Sequence, residues 1–478
     1  MRTKWFISLF ASVPVVAAFL AIQSCGGVGG STTSNGGQGS ITAEFLALLS
    51  DEQRTAKSIT PEECADCHGG RNASDKIYSH WKDTTHSAKG VTCEGCHGPG
   101  SAHKANPTKS NILTYPKVTS PVVCAQCHGP IADQFDFSKH SKLIQDPVEE
   151  ASADPGRYGR TSRCIACHSG LVRAEVLENG KDLADLTDEE IRTLAENTLT
   201  TVPHTADCVT CHNPHSKTNN LNQSGEDVQL RHQVFNLDTT QIGPSTSAAQ
   251  FTSYDHICAQ CHNGRGTDPS DAKLNSGTSR PSMHDSNQMQ MLMGFGGVEG
   301  SAVIQRNTAH AQAPGQCTKC HMPDSRHTFT VSFDKSCSPC HTATDAAARA
   351  DTIKSDILNL LIALRTRMES WANTTYGNSL YWEYTSTITA EGGTPPDQKQ
   401  VPIEIKRARH NYYFVIRSGD YGVHNAPYAK SLMNVANENL DNIGVPSAPS
   451  SNLTREQKLK VIEGDKARAT QAELRSAN

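Results

Sequence analysis

The sequence predicts a mainly α-helical protein with extensive loops, a core filled largely by bound groups, and a C-terminal domain of long helices. Three observations support this fold class. One short cysteine–histidine motif recurs eight times in 478 residues. Hydrophobic residues make up 36% of the chain and aromatic residues 6%, which is little apolar material for a core of this size. Apolar residues recur at helical spacing over a long stretch after the last motif.

The repeated motif is Cys-x-x-Cys-His. Two cysteines at this spacing on one helical turn can each add to a vinyl group of one porphyrin, and the next histidine then donates its imidazole to the iron. The motif therefore predicts eight covalently bound c-type haems, no other cofactor, and a multihaem cytochrome with a haem-packed core. In chain order the motifs are Cys64, Cys67 and His68; Cys93, Cys96 and His97; Cys124, Cys127 and His128; Cys164, Cys167 and His168; Cys208, Cys211 and His212; Cys258, Cys261 and His262; Cys317, Cys320 and His321; Cys337, Cys340 and His341.

Two other uses of cysteine explain the pattern less well. Zinc sites also use Cys-x-x-Cys pairs, but zinc does not require a histidine directly after every second cysteine. A disulfide framework does not explain why the cysteines come only in these pairs. The motifs account for sixteen of the 17 cysteines, and the last one is Cys25.

The N-terminus reads as an export signal. Arg2 and Lys4 precede an apolar run over residues 5–22, which ends in Gln23, Ser24 and Cys25. This ending resembles a bacterial lipobox, which implies cleavage before Cys25 and lipidation of that cysteine. The alternative is an uncleaved membrane anchor, since the run is about long enough to span a bilayer. We expect a lipoprotein at the periplasmic face or on the outer surface of the outer membrane, attached by its lipid anchor only.

Charge and composition divide the rest of the chain. A formal net charge of −5 and a pI near 6.5 give no sign of nucleic-acid binding. The expected parts are a signal peptide over 1–24, a lipidated cysteine with a Gly/Ser-rich tether over 25–45, motifs one to three over 46–150, motifs four to eight over 151–345, a helical domain over 346–445 and a polar tail over 446–478.

Several helices are predicted from caps and spacing. Thr60 with Pro61 reads as the N-cap and first turn of the helix that carries the first motif. Apolar spacing predicts helices at 183–199, at 351–371, at 402–418 before Gly419, and in a third C-terminal segment that ends near Leu440.

Two stretches resemble known cytochromes. The segment from Trp81 through the second motif to His103 resembles the small tetrahaem cytochromes that partner hydroxylamine oxidoreductase. The seventh and eighth motifs, with His310 before them, His327-Thr328-Phe329 between them and Gly-x-His-Asn at 422–425, are similar to the C-terminal part of pentahaem nitrite reductase and octahaem hydroxylamine oxidoreductase. Over residues 60–445 the chain therefore resembles the octahaem family, a tetrahaem-cytochrome-like front joined to a nitrite-reductase-like back.

This resemblance implies second ligands for most haem irons. The implied pairs are His310 with His341, His424 with His321, His327 with His212, and His140 with His262. His86, His103 and one of His204 or His215 would serve the first three motifs. The haem on His168 is then left with an open iron, which is where the catalytic haem of both enzyme families lies. Thirteen histidines lie outside the motifs, so a chain with every iron closed is also consistent with the numbers.

Three residues are candidates for a catalytic pocket. Arg157 and Arg160 would hold the oxygens of a small anion such as nitrite at the open iron, or would instead pair with haem propionates. His284 resembles the pocket histidine that protonates substrate in the family, although a surface or distal-ligand histidine is the alternative. Three methionines near it are expected to pack in the core and not to bind iron; they are Met289, Met291 and Met293.

The sequence departs from both enzyme families. His168 stands where pentahaem nitrite reductase usually has lysine. Asn263 and Gly264 after the sixth motif stand without the tyrosine and carboxylate of the nitrite reductase pocket. Hydroxylamine oxidoreductase needs a tyrosine cross-linked to its active haem, and no pattern selects one of the four in that part of the chain, which are Tyr381, Tyr384, Tyr412 and Tyr413.

Taken together, the motifs predict a protein of respiratory electron transfer. The first hypothesis adds an oxidoreductase activity, the reduction of nitrite, hydroxylamine or sulfite at the haem on His168. The alternatives are a non-catalytic conduit with every haem bound by two histidines, and hydroxylamine oxidation. The expected partners are redox cytochromes or quinol-linked membrane donors, and the resemblance implies a homotrimer or dimer.

Overall fold

The structure is a computed structural model that describes residues 42–70, 76–114, 120–142, 169–170, 173–174, 187, 189–190, 193, 206–219, 221–222, 225–231, 257–264, 268–276, 285–301, 308–313, 315–384 and 396–476. The α-helices of these ranges are α1 (Ala43–Leu48), α2 (Asp51–Thr55), α3 (Pro61–His68), α4 (Ile77–Lys82), α5 (Thr85–Ala88), α6 (Cys93–His97), α7 (Ser101–Ala105), α8 (Ser120–Asp136), α9 (Cys208–Cys211), α10 (Asp271–Leu274), α11 (Gln288–Met293), α12 (Gln316–His321), α13 (Phe333–Ser336), α14 (Ala343–Tyr376), α15 (Ile403–Arg417), α16 (Ala426–Asn442) and α17 (Arg455–Ser476).

The predicted fold class is confirmed. Within the ranges given above, β structure is confined to two isolated bridges, and long loops join short helices until the last motif. After that motif the helices become long. None of the described helices has both the length and the apolar character that a membrane crossing requires.

The N-terminal region is stabilised by helix caps and side-chain hydrogen bonds more than by a hydrophobic core. Its hydrophobic cluster consists of Phe45, Leu49 and Leu113. The Glu94 side chain accepts backbone N–H groups from Ile59 at 2.7 Å and Gly100 at 2.8 Å, which joins two segments across the second motif. A core this small fits a region whose apolar interior comes largely from its prosthetic groups.

The motifs lie on short helical turns. The predicted cap of α3 is confirmed, because the Thr60 hydroxyl accepts from the backbone of Glu63 and the Glu63 side chain accepts from that of Thr60. Asp207 caps α9 with Thr210 in the same way. The third motif interrupts α8, whose backbone leaves helical geometry at His128.

The apolar core lies in the C-terminal bundle of α14, α15, α16 and α17. α15 packs along α16, while α14 contacts α15, α16 and α17. The three predicted helices are present, and α14 extends beyond the predicted 351–371 at both ends. Its alanine-rich start follows Thr342, which caps it, and Gly377 ends it in left-handed geometry with φ +71°.

Two predicted boundaries were wrong. Residues 446–478 were expected to be a polar tail, yet they include α17, whose Ile462 and Asp465 are fully buried. Few apolar residues mark this helix, and a buried ionic cluster fixes it to the bundle. The expected tether also ends too late, since Thr42 already caps α1 and Phe45 is buried. The predicted helix at 183–199 lies mostly outside the described residues.

The bundle also fixes the loop before the seventh motif. The Asn287 side chain donates to the carbonyl of Phe414 at 2.9 Å, and the Asn411 side chain accepts the N–H of Val298 at 2.7 Å. A Cβ at Gly297 would lie 2.5 Å from a terminal methyl of Leu432, so a larger residue would force that side chain to move. The three methionines of α11 are buried beneath the loop, which confirms their predicted packing.

Candidate haem-binding sites

Seven motif histidines each face a second histidine. We number each site by its motif and define it as the motif histidine with the histidine opposite. The pairs and their ring-centroid distances are His68–His103 (6.5 Å), His97–His215 (5.9 Å), His128–His86 (6.2 Å), His212–His327 (6.2 Å), His262–His140 (6.0 Å), His321–His424 (6.3 Å) and His341–His310 (6.4 Å).

These distances fit one metal ion between each pair of rings. An imidazole nitrogen binds a metal ion at about 2 Å, so two rings on opposite sides of one ion have centroids roughly 6 Å apart. The observed range of 5.9 to 6.5 Å meets that requirement at every described site. Attachment cysteines precede the motif histidine each time, so the residues present fit a c-type haem with two axial histidines.

Backbone carbonyls orient several of these rings. Nδ1 of His97 bonds to the carbonyl of Leu113 at 2.7 Å, and Nδ1 of His212 bonds to that of Val228 at 2.8 Å. Among the facing histidines, His103 and His327 bond in the same way to carbonyls two or five residues away. Each bond places the proton on Nδ1 and leaves the Nε2 lone pair for a metal ion.

Three sites depart from this arrangement. Nδ1 of His424 lies 3.2 Å from the carboxylate of Asp420, and Nδ1 of His341 lies 3.3 Å from that of Asp345. Nδ1 of His140 has no hydrogen-bond partner among the described residues. The seventh and eighth sites therefore carry an anion beside one of their two histidines, whereas Nδ1 of His140 in the sixth has no described hydrogen-bond partner.

Burial lowers the pKa of several of these imidazoles and so favours their neutral form, which is the form that binds iron. Burial, with the nearby His262 and His321, lowers the pKa of His140 to about 4. Burial likewise lowers the pKa of His212 to about 4, although its bond to Val228 acts in the opposite direction. His424 differs, because the Asp420 carboxylate outweighs burial and raises its pKa above the ordinary value.

Neighbouring sites are in contact along the chain of motifs. The first cysteines of three motif pairs meet thiol to thiol, and these pairs are Cys64 with Cys93, Cys124 with Cys208, and Cys258 with Cys317. The Gln126 side chain joins the third motif to Gly95 of the second at 3.3 Å, and Ser336 joins the eighth to Cys320 of the seventh at 2.6 Å. Cys211 of the fifth motif and Cys258 of the sixth also interact electrostatically.

Phe329 lies where three sites meet, and sequence reasoning gave it no role beyond a family motif. Its ring meets His140 edge to face at 4.4 Å and His327 at 6.0 Å, while its carbonyl lies 3.4 Å from Nδ1 of His321. Its φ of +54° is rare for a bulky residue, which shows that the surroundings impose this conformation. No local sequence pattern signals such a position.

The fourth motif falls outside the described residues. Cys164, Cys167 and His168 lie there, as do the candidate pocket residues and one proposed distal ligand, which are Arg157, Arg160, His204 and His284. Cys25 lies there too. His204 or His215 was expected to serve one of the first three motifs, and His215 faces His97 of the second.

The other described histidines and the tyrosines have positions of their own. His80 lies 3.4 Å from the Ser216 hydroxyl, and Nε2 of His410 lies 3.0 Å from the carbonyl of Gly296. Three of the four candidate tyrosines are buried in the bundle core, namely Tyr384, Tyr412 and Tyr413, and Tyr381 packs against its edge. In the described ranges the motif cysteines are free of disulfides, and no cluster of three metal-binding side chains forms a zinc site.

The chain is similar to known haem proteins in its front half. The profile of the family described as "Cytochrome c554 and c-prime" matches residues 41–98 and 123–190. The C-type polyheme cytochrome OmcC of Geobacter sulfurreducens is 23% identical over 170 residues. That match covers 34% of this chain and 19% of OmcC, so the chain spans about a fifth of this relative's length.

Two solved structures of cytochromes are also similar to this chain. The undecaheme cytochrome from the S-layer of Carboxydothermus ferrireducens has 20% identity and a TM-score of 0.41, covering 76% of this chain and 51% of its own. The outer cell wall cytochrome OcwA has 17% identity and a TM-score of 0.44, covering 73% of this chain and 70% of its own. The repeated attachment motif, the facing histidines and the match to a cytochrome family together show that this chain is a multihaem c-type cytochrome.

Proposed function

We propose that the protein carries electrons along a row of seven haem sites, each closed by two histidines. One observation carries this proposal, namely that each described motif histidine faces a second histidine at 5.9 to 6.5 Å. When bound, each haem supplies a one-electron redox centre. The facing histidines would hold each haem from the side opposite the motif histidine, so they would leave no position there for a substrate.

The contacts between motifs support one order along the row. The first and second motifs touch, the third touches both the second and the fifth, and the sixth, seventh and eighth follow. The order one, two, three, five, six, seven, eight therefore connects the N-terminal region to the bundle. Rigid hydrogen-bonded turns hold the ligands, which limits rearrangement when the charge on a site changes.

The central test removes a ligand from the middle of the row. His327→Ala should leave eight covalent haems by mass spectrometry, convert one low-spin signal to high-spin in electron paramagnetic resonance, and slow electron transfer from a donor at one end to an acceptor at the other. His80→Ala is the matched control, since His80 contacts Ser216 and faces no motif histidine. A His327→Ala protein with unchanged spectrum and rate would contradict the proposed electron conduit. Recovery of zinc on unmodified cysteines would contradict the proposal that the motifs bind haem.

We also propose that the chain is built as an octahaem member of the hydroxylamine oxidoreductase and nitrite reductase superfamily. Four pairings implied by that resemblance involve His310, His424, His327 and His140, and each of these lies opposite the implied motif histidine. These agreements join residues up to 122 positions apart, such as His140 and His262, which supports a shared arrangement of sites. A dimer or trimer in solution, measured by light scattering, is the expected assembly.

A second function is proposed for the fourth motif, the reduction of a small nitrogen or sulfur oxyanion. The observation that favours it concerns the nine described histidines outside the motifs: seven face motifs one to three and five to eight, and His80 and His410 contact Ser216 and Gly296. Arg157 and Arg160 would hold the anion, and His284 would donate the proton that reduction requires.

The spin state of the fourth site tests this second function. We expect a minority high-spin signal that His168→Ala abolishes while the other signals stay low-spin. His284→Ala should keep all haems and lose about 10²- to 10⁴-fold in the rate of nitrite or hydroxylamine reduction. A wholly low-spin wild type without activity on nitrite, hydroxylamine or sulfite would leave the conduit as the whole function.

We further propose export and a lipid anchor at Cys25, with redox cytochromes or quinol-linked membrane donors as partners. The charged start, apolar run and lipobox-like ending support this proposal. Cys25→Ala should release haem-loaded protein from the membrane fraction, and mass spectrometry should find acyl groups on the wild-type N-terminus only. Equal membrane association of the two proteins would favour an uncleaved anchor.

A further inference from the structure

We propose that Asp420 lowers the reduction potential of the seventh site below that of the sixth, so that electrons at this end of the row move toward the sixth motif. The proposal rests on the ligation proposed above, with His321 and His424 as axial ligands. It assigns Asp420 as a positioning residue that acts on the iron through His424 and does not touch the haem iron itself.

Asp420 lies in the short connection between α15 and α16, four residues before His424. One carboxylate oxygen, Oδ2, lies 3.2 Å from Nδ1 of His424 and accepts its backbone N–H at 2.6 Å. The ring contact meets the distance of a hydrogen bond but not its alignment, so it is an electrostatic contact in this structure. The other oxygen is in contact with the Ser418 hydroxyl. The carboxylate is thus fixed on two sides.

Burial makes this contact strong. The side chain of Asp420 is 8% exposed and that of His424 is 26% exposed, so water screens little of the charge between them. A carboxylate beside Nδ1 draws the ring proton toward itself and makes Nε2 a stronger electron donor. A stronger donor stabilises the oxidised iron more than the reduced iron, and the potential of the site falls.

The sixth site has the opposite character. Nδ1 of His140 has no hydrogen-bond partner among the described residues, and the edge-to-face ring of Phe329 packs against it at 4.4 Å. The motif histidine of this site, His262, has only the neutral side chain of Gln288 at 3.2 Å. Among the described residues, neither ligand has an anionic hydrogen-bond partner at Nδ1, and the reduced iron is favoured more than at the seventh site.

The eighth site shows why the presence of a carboxylate near a ligand does not by itself lower the reduction potential strongly. Asp345 lies 3.3 Å from Nδ1 of His341, but it also binds the guanidinium of Arg349 at 2.7 Å. Its side chain is 43% exposed, so water and the arginine share its charge. We therefore expect the effect of Asp345 on the eighth site to be smaller than that of Asp420 on the seventh.

The direction of electron transfer follows from which sites are neighbours in the row. Cys258 of the sixth motif and Cys317 of the seventh meet thiol to thiol, so these sites are neighbours in the row. An electron that reaches the seventh site then has a neighbour of higher potential on the side of the sixth motif. The carboxylate would make the step from the seventh site to the sixth favourable and the reverse step unfavourable.

The test is a redox titration of the haem-loaded protein, followed by optical and electron paramagnetic resonance spectra. His424→Met and His140→Met first identify the low-spin components of the seventh and sixth sites. In the wild type, the component lost in His424→Met should have the lower potential of the two. This comparison needs no change at Asp420, so it applies even if variants of that residue fail to fold.

Asp420→Asn then tests the cause. Asparagine keeps an oxygen for the backbone N–H of His424 but removes the charge. We expect the seventh component alone to move upward, with its ratio of reduced to oxidised iron at a fixed potential changing tenfold or more, which is 59 mV for one electron. Asp420→Glu should restore most of the wild-type value. Asp356→Asn, which removes a half-exposed carboxylate paired with Lys430, should move no component.

Two results would overturn the proposal, and they differ from a failure of the conduit. If Asp420→Asn leaves the seventh component in place, or if that component already lies above the sixth in the wild type, Asp420 does not set the direction. If His424→Met changes no low-spin signal, His424 is not a ligand and the ligation itself is wrong.

Discussion

Arg409 and Glu383 form an ion pair inside the C-terminal bundle. Their atoms approach to 2.9 Å, and the side chains are 2% and 3% exposed. Arg409 also lies over the rings of Tyr384 and Tyr413, at 5.1 and 4.7 Å from their centroids. Water therefore cannot reach this pair to replace a lost charge.

Removing one partner should destabilise the bundle strongly. Glu383→Gln leaves a buried guanidinium without its anion and should cost about 3–5 kcal/mol in the free energy of unfolding. Replacing both residues by apolar ones, Glu383→Leu with Arg409→Met, should recover much of that loss. Denaturant unfolding followed by far-UV circular dichroism measures both, and Asp356→Asn is the exposed-pair control, expected within about 1 kcal/mol of wild type. A single variant as stable as that control would contradict the account.

His410 gives the bundle a dependence on pH. The ring is buried in α15, and burial lowers its pKa to about 4. In the unfolded chain a histidine has a pKa of about 6.5. The unfolded state therefore binds the proton first as pH falls, and the stability that is complete above pH 6.5 is lost progressively toward pH 4, by about 3 kcal/mol in all.

His410→Gln should remove this part of the pH profile. Between pH 6.5 and 4 its stability should fall by about 3 kcal/mol less than that of the wild type, and the denaturant midpoint at each pH measures the difference. Nε2 of His410 is within bonding distance of the carbonyl of Gly296, and glutamine can still donate to it. Parallel profiles for the two proteins would show that another group titrates in this window.

At the scale of single elements, replacing two glycines of the long helices by alanine should change the stability of the protein in opposite directions. Gly377 ends α14 with φ +71°, and Gly464 lies inside α17. An added Cβ would meet no atom within 4 Å at either position, so backbone preference alone decides. Gly377→Ala should destabilise by about 1 kcal/mol and Gly464→Ala should stabilise by up to about 1 kcal/mol. Thermal unfolding of both variants checks the signs, and shifts in the same direction would contradict this reading.

The helices also show which secondary-structure elements can be predicted from the sequence. Apolar spacing predicted α14, α15 and α16 because each has a continuous buried face. It missed α17, whose contact with the bundle runs through Asp465, which Arg365 and Tyr412 both bond at 2.6 Å. An amphipathic pattern cannot signal a helix whose burial depends on an ionic contact across 100 residues.

For the whole molecule, α17 should be essential to the bundle and dispensable for the haem sites. A chain ending at residue 450 loses Asp465 and leaves Arg365 and the hydroxyl of Tyr412 without that anion. We expect a loss of at least about 3 kcal/mol in bundle stability, with eight covalent haems retained, because the truncated segment contains no motif or facing histidine. Mass spectrometry measures the number of covalent haems, and far-UV circular dichroism measures the stability of the bundle. Asp465→Asn is the control that changes a single residue. An unchanged melting temperature in the truncated protein would show that α17 adds no stability.

The sequence by itself determined the chemistry, because haem attachment needs cysteine and histidine at fixed spacing and that spacing is visible in the chain. It also determined the mainly helical class and three of the four bundle helices, since periodic burial leaves a periodic pattern. Only the tertiary structure decided which histidine faces which motif, that His215 lies opposite His97, and that Phe329, Gln288 and Asp420 surround the ligands. These contacts join residues far apart in the chain, where no local pattern records which side chains meet.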